Sequence, residues 1–202
     1  MFADCHDMIK GPSILRPTDL SGTSQCYRGM FKECYNLITP PVIAATTMGT
    51  QSCMYMFQNC QSLITPPALP ATTLAESCYS GMFNNCWALT SIPALNAAPV
   101  KNCYYRMFLN CRALTSVNVG VASTLAEGSY QLMFNGCSNL SNIKCLAEDI
   151  SATNCLTNWV QGVASSGTFE KNSNVTWPTG NSGTPTNWTV TNYTGILPGE
   201  DD

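Results

Sequence analysis

The sequence predicts an α/β solenoid built from coils of ~25–26 residues, each with a short strand and a short helix. A phenylalanine recurs from Phe2 to Phe134 at spacings of 29, 26, 26, 25 and 26 residues. A methionine precedes each of these phenylalanines, and a cysteine follows three residues later. Fixed periods of about 20 to 50 residues are typical of solenoids, whose units bury their apolar faces only by stacking.

Four columns of the repeat have six members each. They are the methionines Met1, Met30, Met56, Met82, Met107 and Met133, the phenylalanines Phe2, Phe31, Phe57, Phe83, Phe108 and Phe134, the cysteines Cys5, Cys34, Cys60, Cys86, Cys111 and Cys137, and, three residues further, Met8, Leu37, Leu63, Leu89, Leu114 and Leu140. We expect these columns to form the core, in preference to an adaptable, methionine-rich binding stripe.

Two patterns alternate within each unit. The stretches Thr73 to Glu76 and Thr124 to Glu127 both read Thr-Leu-Ala-Glu, which matches a helix capping box and predicts a short helix. The segments that begin at Leu114 and Leu140 read L-x-x-hydrophobic-x-hydrophobic, the strand pattern of a leucine-rich repeat. Pro40-Pro41 and Pro66-Pro67 occupy this strand segment in two units. Proline donates no ladder hydrogen bond, so we expect short or broken strands there.

One coil carries a resemblance to a known family. Residues 78–86 (CYSGMFNNC) and 89–93 (LTSIP) resemble the A-F-x-x-C-x-x-L-T-x-I-x-I-P motif of BspA-like leucine-rich repeat surface proteins, with Met in place of Ala. These proteins are typical of Bacteroides-type and other host-associated bacteria. The resemblance covers residues 1–160 and implies a right-handed leucine-rich repeat superhelix at the cell surface or secreted. It also implies roles such as adhesion, matrix binding and self-association.

The predicted domains are the repeats in residues 1–160, a C-terminal cap in 161–194 and a tail or linker in 195–202. The repeats make about six coils, the first of them truncated, because Met1 and Phe2 already stand in register with the repeat columns. We therefore expect a longer parent protein with a secretion signal upstream. Cys155 and Val160 stand where a seventh coil would place Cys and Phe. The Trp-containing segment that follows is expected to cover the open end of the solenoid.

Twelve cysteines leave two states open. Besides the column after each phenylalanine, a second column lies five residues before it: Cys26, Ser52, Cys78, Cys103, Ser129 and, beyond the last phenylalanine, Cys155. Because serine interrupts this column twice, pairing within each coil would leave Cys60 and Cys137 without partners. We favour buried free thiols, with disulfides as the alternative in an extracellular compartment. The C-x7-C and C-x25-C spacings are unlike those of structural zinc sites, so no metal is predicted.

Other functional classes find little support. Nine Lys and Arg against twelve Asp and Glu provide no basic stripe for nucleic acid, and no run of 18 apolar residues predicts a membrane span. The one histidine, His6, adjoins Cys5 in sequence, which rarely gives a nucleophile and its base the required geometry. Glu76, Glu127 and Glu148 are expected to be helix caps or surface charges. We therefore predict no catalytic residue and no cofactor.

The strand face is the predicted binding surface. Its outward residues form a nearly uncharged row of hydroxyl and amide side chains, which includes Thr39, Thr65, Ser91, Ser116, Asn118, Asn142 and Lys144. The same alternation places Pro41, Pro67 and Pro93 outward. The tyrosines Tyr27, Tyr79, Tyr104 and Tyr130 are expected either to half-cover the convex face or to stack with their hydroxyls in water.

These features favour a non-catalytic, extracellular binding or adhesion module that holds a host or bacterial surface protein or a glycan. The strand face, and the tryptophans of the cap beside it, would supply the contacts, since extended solenoid faces are common binding surfaces. Two alternatives remain: a structural spacer that projects another domain, and an accessory targeting domain of a larger extracellular protein.

Overall fold

The computed structural model describes residues 2–119 and 123–195 and shows a parallel β-solenoid of about six turns. This confirms the predicted solenoid. We number coils 1 to 6 by their phenylalanines, from Phe2 to Phe134, and assign residues 154–162 to coil 7. Each coil has a turn side, which carries the Met-Phe pair, and a strand side, which carries the segment after the conserved leucine.

Six strands are described, and every pair is parallel. They are β1 (Ile14–Leu15), β2 (Val42–Ile43), β3 (Ser116–Val119), β4 (Asn142–Cys145), β5 (Thr168–Lys171) and β6 (Thr189–Asn192). β1 pairs with β2, while β3 to β6 form a separate sheet in that order. Between the two sheets, the strand sides of coils 3 and 4 carry the prolines and have no assigned strand. The expectation is confirmed for Pro40-Pro41, which only the two-residue β2 follows, and for Pro66-Pro67, where no strand forms; the break in coil 4 was not predicted.

The turn side is built from hydrogen-bonded turns, and the predicted short helix is wrong for residues 2–119 and 123–195, in which no helix occurs. Successive N–H groups alternate in direction. The Met30 N–H donates to the Tyr27 carbonyl within its own coil (3.1 Å), whereas the Gly29 N–H donates to the Met54 carbonyl of the next coil (2.9 Å). An α-helix would direct all of these N–H groups into its own segment. Half of the backbone N–H groups that a helix would need therefore donate to the neighbouring coil instead.

A positive φ at every fourth residue accompanies this alternation. In coil 2 the three positions are Gln25 (58°), Gly29 (58°) and Glu33 (64°). Left-handed backbone costs most residues about 1–2 kcal/mol and is adopted most readily by Gly and Asn. Of the 15 non-glycine residues with positive φ in the described ranges, seven are asparagines. The repeated left-handed residues explain the failure of the capping-box prediction at Thr73 and Thr124 and the placement of these seven asparagines.

The core consists of the predicted columns. The phenylalanine rings stack face to face along the whole array, from Phe2 on Phe31 at 5.4 Å to Phe108 on Phe134 at 5.6 Å, with rings 5–7° from parallel. The cysteine and leucine columns of coils 2 to 6 are fully buried around them. Burial of each ring from Phe31 to Phe134 stabilises the stack by about 1.5–3 kcal/mol, whereas Phe2 at the end of the stack is exposed. The expectation that the Met-Phe columns serve packing is confirmed for coils 3 to 6, in which both residues are buried.

The C-terminal segment first adds one more coil to the solenoid and then covers its end. The Tyr130 N–H donates to the Cys155 carbonyl (2.9 Å), and the Phe134 N–H donates to the Trp159 carbonyl (2.8 Å), so residues 154–162 stack in register on coil 6. The ring of Trp159 is fully buried, 6.1 Å from Phe134, and its Nε1 donates to the Gly183 carbonyl (2.8 Å). The aromatic column thus ends on a tryptophan that the following loop holds in place.

Candidate binding face

The predicted site residues all lie on the strand side, where six are exposed and Lys144 is half-buried. The structure divides them into two groups. Thr39, Thr65 and Ser91 follow the conserved leucines of coils 2, 3 and 4, in which little or no strand forms. The other four, Ser116, Asn118, Asn142 and Lys144, lie on the paired strands β3 and β4. Only this second group is held in a regular sheet.

One outward row crosses all four strands of the larger sheet. Ser116, Asn142, Thr168 and Thr189 are direct neighbours in the register. The Ser116 hydroxyl lies 3.2 Å from the Asn142 Oδ1, and the Asn142 Nδ2 donates to the Thr168 Oγ1 at 2.6 Å. These hydrogen bonds fix the directions of neutral donors and acceptors before any ligand arrives.

The second outward row carries the charged groups of this face. It consists of Asn118, Lys144, Glu170 and Thr191. The Lys144 Nζ lies 3.1 Å from the Glu170 Oε2 and 3.8 Å from the centre of the Tyr193 ring. Both charges are therefore paired inside the row, and the strand face remains close to neutral overall.

Sequence reasoning missed the strands of this face that lie in the cap. Thr168, Glu170, Thr189 and Thr191 complete the two rows, whereas in residues 161–194 the sequence predicts a covering role and ligand contacts from the tryptophans alone. Their signal is short: Thr-Phe-Glu-Lys at 168–171 and Thr-Val-Thr-Asn at 189–192 each hold one apolar residue between polar ones. Without the leucine and phenylalanine columns, nothing in these four-residue stretches shows that they pair with β4.

The predicted outward orientation of three prolines is wrong. Pro41, Pro67 and Pro93 are buried, and the residues beside them, such as Val42 and Ala94, face solvent. In coils 2 to 4 the first inward position lies four residues after the conserved leucine, whereas in coils 5 and 6 it lies three residues after it. One additional residue reverses the inward and outward positions of a strand, because side chains alternate with period two.

A cleft opens where the larger sheet begins. It has a volume of about 440 Å³ and lies between residues 91–96 of coil 4 and residues 116–118 of β3. The predicted site residues Ser91, Ser116 and Asn118 line it, together with Asn96. Neither a charged nor an aromatic side chain is among its lining residues. The cleft therefore offers neutral hydrogen-bonding groups in a concave setting.

The cysteines are free thiols, as we favoured from the sequence. All twelve are unpaired; ten are buried, whereas Cys5 and Cys26 are exposed. Burial raises the pKa of the Cys78, Cys137 and Cys145 thiols to about 12. Thiolate is the nucleophilic form, so these buried thiols are unreactive near neutral pH.

The tyrosine column lies inside the stack. Tyr79 and Tyr104 are buried with parallel rings 6.2 Å apart, which confirms stacking. The expectation that the hydroxyls lie in water is wrong for Tyr27 and Tyr79, whose hydroxyls are buried without a hydrogen-bond partner among the described residues. Burial raises the pKa of Tyr79 well above its usual value. In coil 3 the backbone register places Cys53 in this column, so the tyrosine stack is interrupted there.

One cluster of potential metal ligands was not predicted. Asp4, His6 and Glu33 bring three ligand atoms within 4.8 Å of one another at the turn side of coils 1 and 2. Lys32 pairs with Glu33 at 3.3 Å and lowers the pKa of its carboxyl group, and the Tyr35 hydroxyl also lies 3.3 Å from it. Because Glu33 already has these partners and Asp4 and His6 are exposed, we assign no metal to the cluster.

Comparisons with protein-family models, with curated proteins and with solved structures find no match to this chain. Within residues 2–119 and 123–195, no helix has the length and apolar character needed to cross a membrane.

Proposed function

We propose that the chain is a non-catalytic binding or adhesion module of the BspA-like leucine-rich repeat type, displayed at the cell surface or secreted. It holds a host or bacterial surface protein or a glycan on its strand face. The motif-bearing strings of coil 4 and the stacked Phe, Cys and Leu columns support the family assignment. The parallel solenoid is compatible with it, although hydrogen-bonded turns stand where the sequence predicts a short helix.

The observation that carries the proposal is the pre-ordered outward surface of the sheet β3 to β6. The Ser116–Asn142–Thr168 hydrogen bonds and the Lys144–Glu170 ion pair hold these side chains in one arrangement. Groups held in place in the free protein lose little conformational entropy when a ligand binds. By contrast, the buried thiols and the single exposed histidine supply no convergent acid, base and nucleophile for catalysis.

The test is binding to an array of matrix proteins and glycans, compared between the wild-type chain and a Thr65→Arg, Ser91→Arg, Asn118→Arg variant. Arginine at these exposed positions adds bulk and charge to a neutral face. A ligand of the strand face should lose at least tenfold in affinity. The control variant carries Asn36→Arg, Ser138→Arg and Asn139→Arg, three exposed positions outside the strand face, and should bind as wild type does.

The result also separates the proposal from its alternatives. Binding that both variants retain would move the site away from the strand face. If folded wild-type protein bound nothing on the array, the spacer role would replace the binding role, because a spacer needs only the stacked core.

A further inference from the structure

The edge of β3 that faces coil 4 carries main-chain groups without partners. The Asn142 N–H of β4 donates to the Thr115 carbonyl at 3.1 Å, and Ser116 is the register partner of Asn142. In a parallel ladder this arrangement turns the N–H and C=O of Ser116 away from β4. Asn118, two residues further and paired with Lys144, has the same orientation. No hydrogen bond within the described part of the chain reaches these four groups.

Coil 4 cannot supply the missing ladder. Pro93 has no N–H, and residues 91–98 make no backbone hydrogen bond to β3 within the described residues. The segment instead forms the opposite wall of the 440 Å³ cleft. The two free N–H groups and two free carbonyls therefore border a concavity. Exposed edges of this kind readily pair with another chain.

The spacing of these groups specifies the ligand. Ser116 and Asn118 are separated by two residues of a strand, or about 6.6 Å, which is the repeat of an extended backbone. The cleft volume lies at the lower end of the range of about 300–1,000 Å³ that is usual for ligand sites. A segment of three to four extended residues, roughly 10–13 Å long, matches the length of β3.

The side chains around the cleft favour a neutral peptide. Half-buried Ile92 and exposed Ala94 provide apolar surface for side chains of a bound strand, with the buried Leu95 and Val117 beneath them. Charged side chains are absent from the lining, which disfavours a strongly charged ligand. The lining also lacks an aromatic ring on which a sugar could stack.

We propose that this cleft binds an extended, uncharged polypeptide segment, which adds as a strand to the free edge of β3. The inference rests on the proposed function and narrows its ligand to a peptide main chain. Affinity would come from backbone hydrogen bonds to Ser116 and Asn118. Selectivity would come from the apolar side chains that alternate along the bound strand.

The experiment starts from a displayed library of random 12-residue peptides, selected on the full chain. Enriched peptides are synthesised, labelled and titrated by fluorescence anisotropy. Asn118→Pro removes the free-edge N–H without removing a hydrogen bond of the β3–β4 ladder, in which the Asn118 N–H takes no part. We expect this variant to lose at least tenfold in affinity. Asn118→Ala keeps the backbone donor and should stay within about threefold of wild type.

A second control makes the same chemical change at another sheet edge. In β6 the Thr189 N–H donates to the Gly167 carbonyl, so the alternating N–H of Val190 points away from β5. Val190→Pro should leave peptide affinity unchanged. Circular dichroism of each variant confirms folding, and amide hydrogen exchange should slow at Ser116 and Asn118 when the peptide binds.

Failure of this inference differs from failure of the proposed function. Peptide binding that survives Asn118→Pro, or a library without enriched sequences, would overturn strand addition at β3. If an array ligand were still lost in the triple arginine variant, the strand-face proposal would stand. If the array and the library both gave nothing, both proposals would be overturned.

Discussion

The thiol of Cys86 donates a hydrogen bond to the carbonyl oxygen of Phe57 in the preceding coil, with a sulfur–oxygen distance of 3.1 Å. The same bond joins every pair of consecutive coils from 1 to 6, at 3.0–3.1 Å. The Phe57 carbonyl also accepts the Cys60 N–H within its own coil. The cysteine column therefore fills core space and links neighbouring coils.

Cys86→Ala should lower the free energy of unfolding by about 1–3 kcal/mol, because it removes a buried side chain and a coil-to-coil hydrogen bond. Guanidinium denaturation followed by circular dichroism measures the change. Cys26→Ala is the matched control, since this cysteine is exposed, and should change stability by less than about 0.5 kcal/mol. Equal effects of the two substitutions would refute a stabilising role for the cysteine column.

Thiol accessibility should divide the cysteines into two classes. We expect Ellman's reagent to modify Cys5 and Cys26 rapidly in the native protein and the ten buried thiols only after unfolding. The buried thiols are both shielded and protonated. Mass spectrometry of peptides from briefly treated protein identifies the labelled residues. Rapid labelling of Cys111, or fewer than twelve reactive thiols in protein denatured without a reductant, would contradict this division.

Alkaline pH should unfold the protein well before its backbone is damaged. Unfolded thiols ionise near pH 8.5, whereas burial keeps Cys78, Cys137 and Cys145 protonated up to a pKa of about 12. The unfolded state thus releases protons that the native state retains. The contribution of these thiols to the free energy of unfolding is fully present below about pH 8.5. It falls as the pH rises, by up to about 1.4 kcal/mol per pH unit for each such thiol.

Several such thiols together would remove a typical stability of about 5–15 kcal/mol within two to three pH units. We therefore expect a cooperative transition between about pH 9 and 11 in circular dichroism. The reference is the same protein between pH 6 and 8, where the signal should stay constant. A native spectrum that persists to pH 11.5 would contradict the burial of protonated thiols.

The left-handed positions provide a backbone test. Gly29 has a φ of 58°, and a Cβ added there would meet only the Lys32 Cβ at 3.8 Å, so Gly29→Ala adds strain without a clash. We expect a loss of about 1–2 kcal/mol in thermal or chemical denaturation. Gly22 has open space around it and no positive φ, so Gly22→Ala should be neutral or slightly stabilising. A neutral Gly29→Ala would argue against the period-four turn geometry.

The sequence predicts the core because each column repeats one residue type. Phe83, Cys86 and Leu89 recur with nearly fixed spacing, and all three are fully buried. The helix prediction fails for a physical reason. The Thr73 to Glu76 stretch satisfies a local capping pattern, but hydrogen bonds between coils, as from Gly81 to Tyr105, decide the backbone conformation. Such non-local bonds leave no short motif in the sequence.

The candidate site was predicted only in part for similar reasons. Ser116, Asn118, Asn142 and Lys144 follow directly from the alternation after Leu114 and Leu140. The extension to Thr168 and Thr189 depends on sheet pairing across the cap, which its composition does not reveal. The cleft exists because residues 91–98 of coil 4 form no hydrogen-bonded ladder with β3. Broken strands are expected only at Pro40-Pro41 and Pro66-Pro67, and Pro93 is expected to face outward on a strand, so neither the break in coil 4 nor the groove beside β3 is predicted.

The missing ladder also makes the solenoid mechanically uneven. Between coils 4 and 5, turn-side bonds such as that from the Phe83 N–H to the Met107 carbonyl (2.9 Å) remain, while the strand-side segments 91–98 and 116–118 are not joined. A bend that spreads the strand side breaks no backbone hydrogen bond there, whereas the same bend between β3 and β4 would break their ladder. The turn side therefore acts as a hinge at this junction, about which the two strand-side segments can move apart. The strand sides of coils 3 and 4 form no ladder either, so the curvature of the stack, and with it the width of the binding face, is soft from coil 2 to coil 5, and the cleft lies at the last of these junctions.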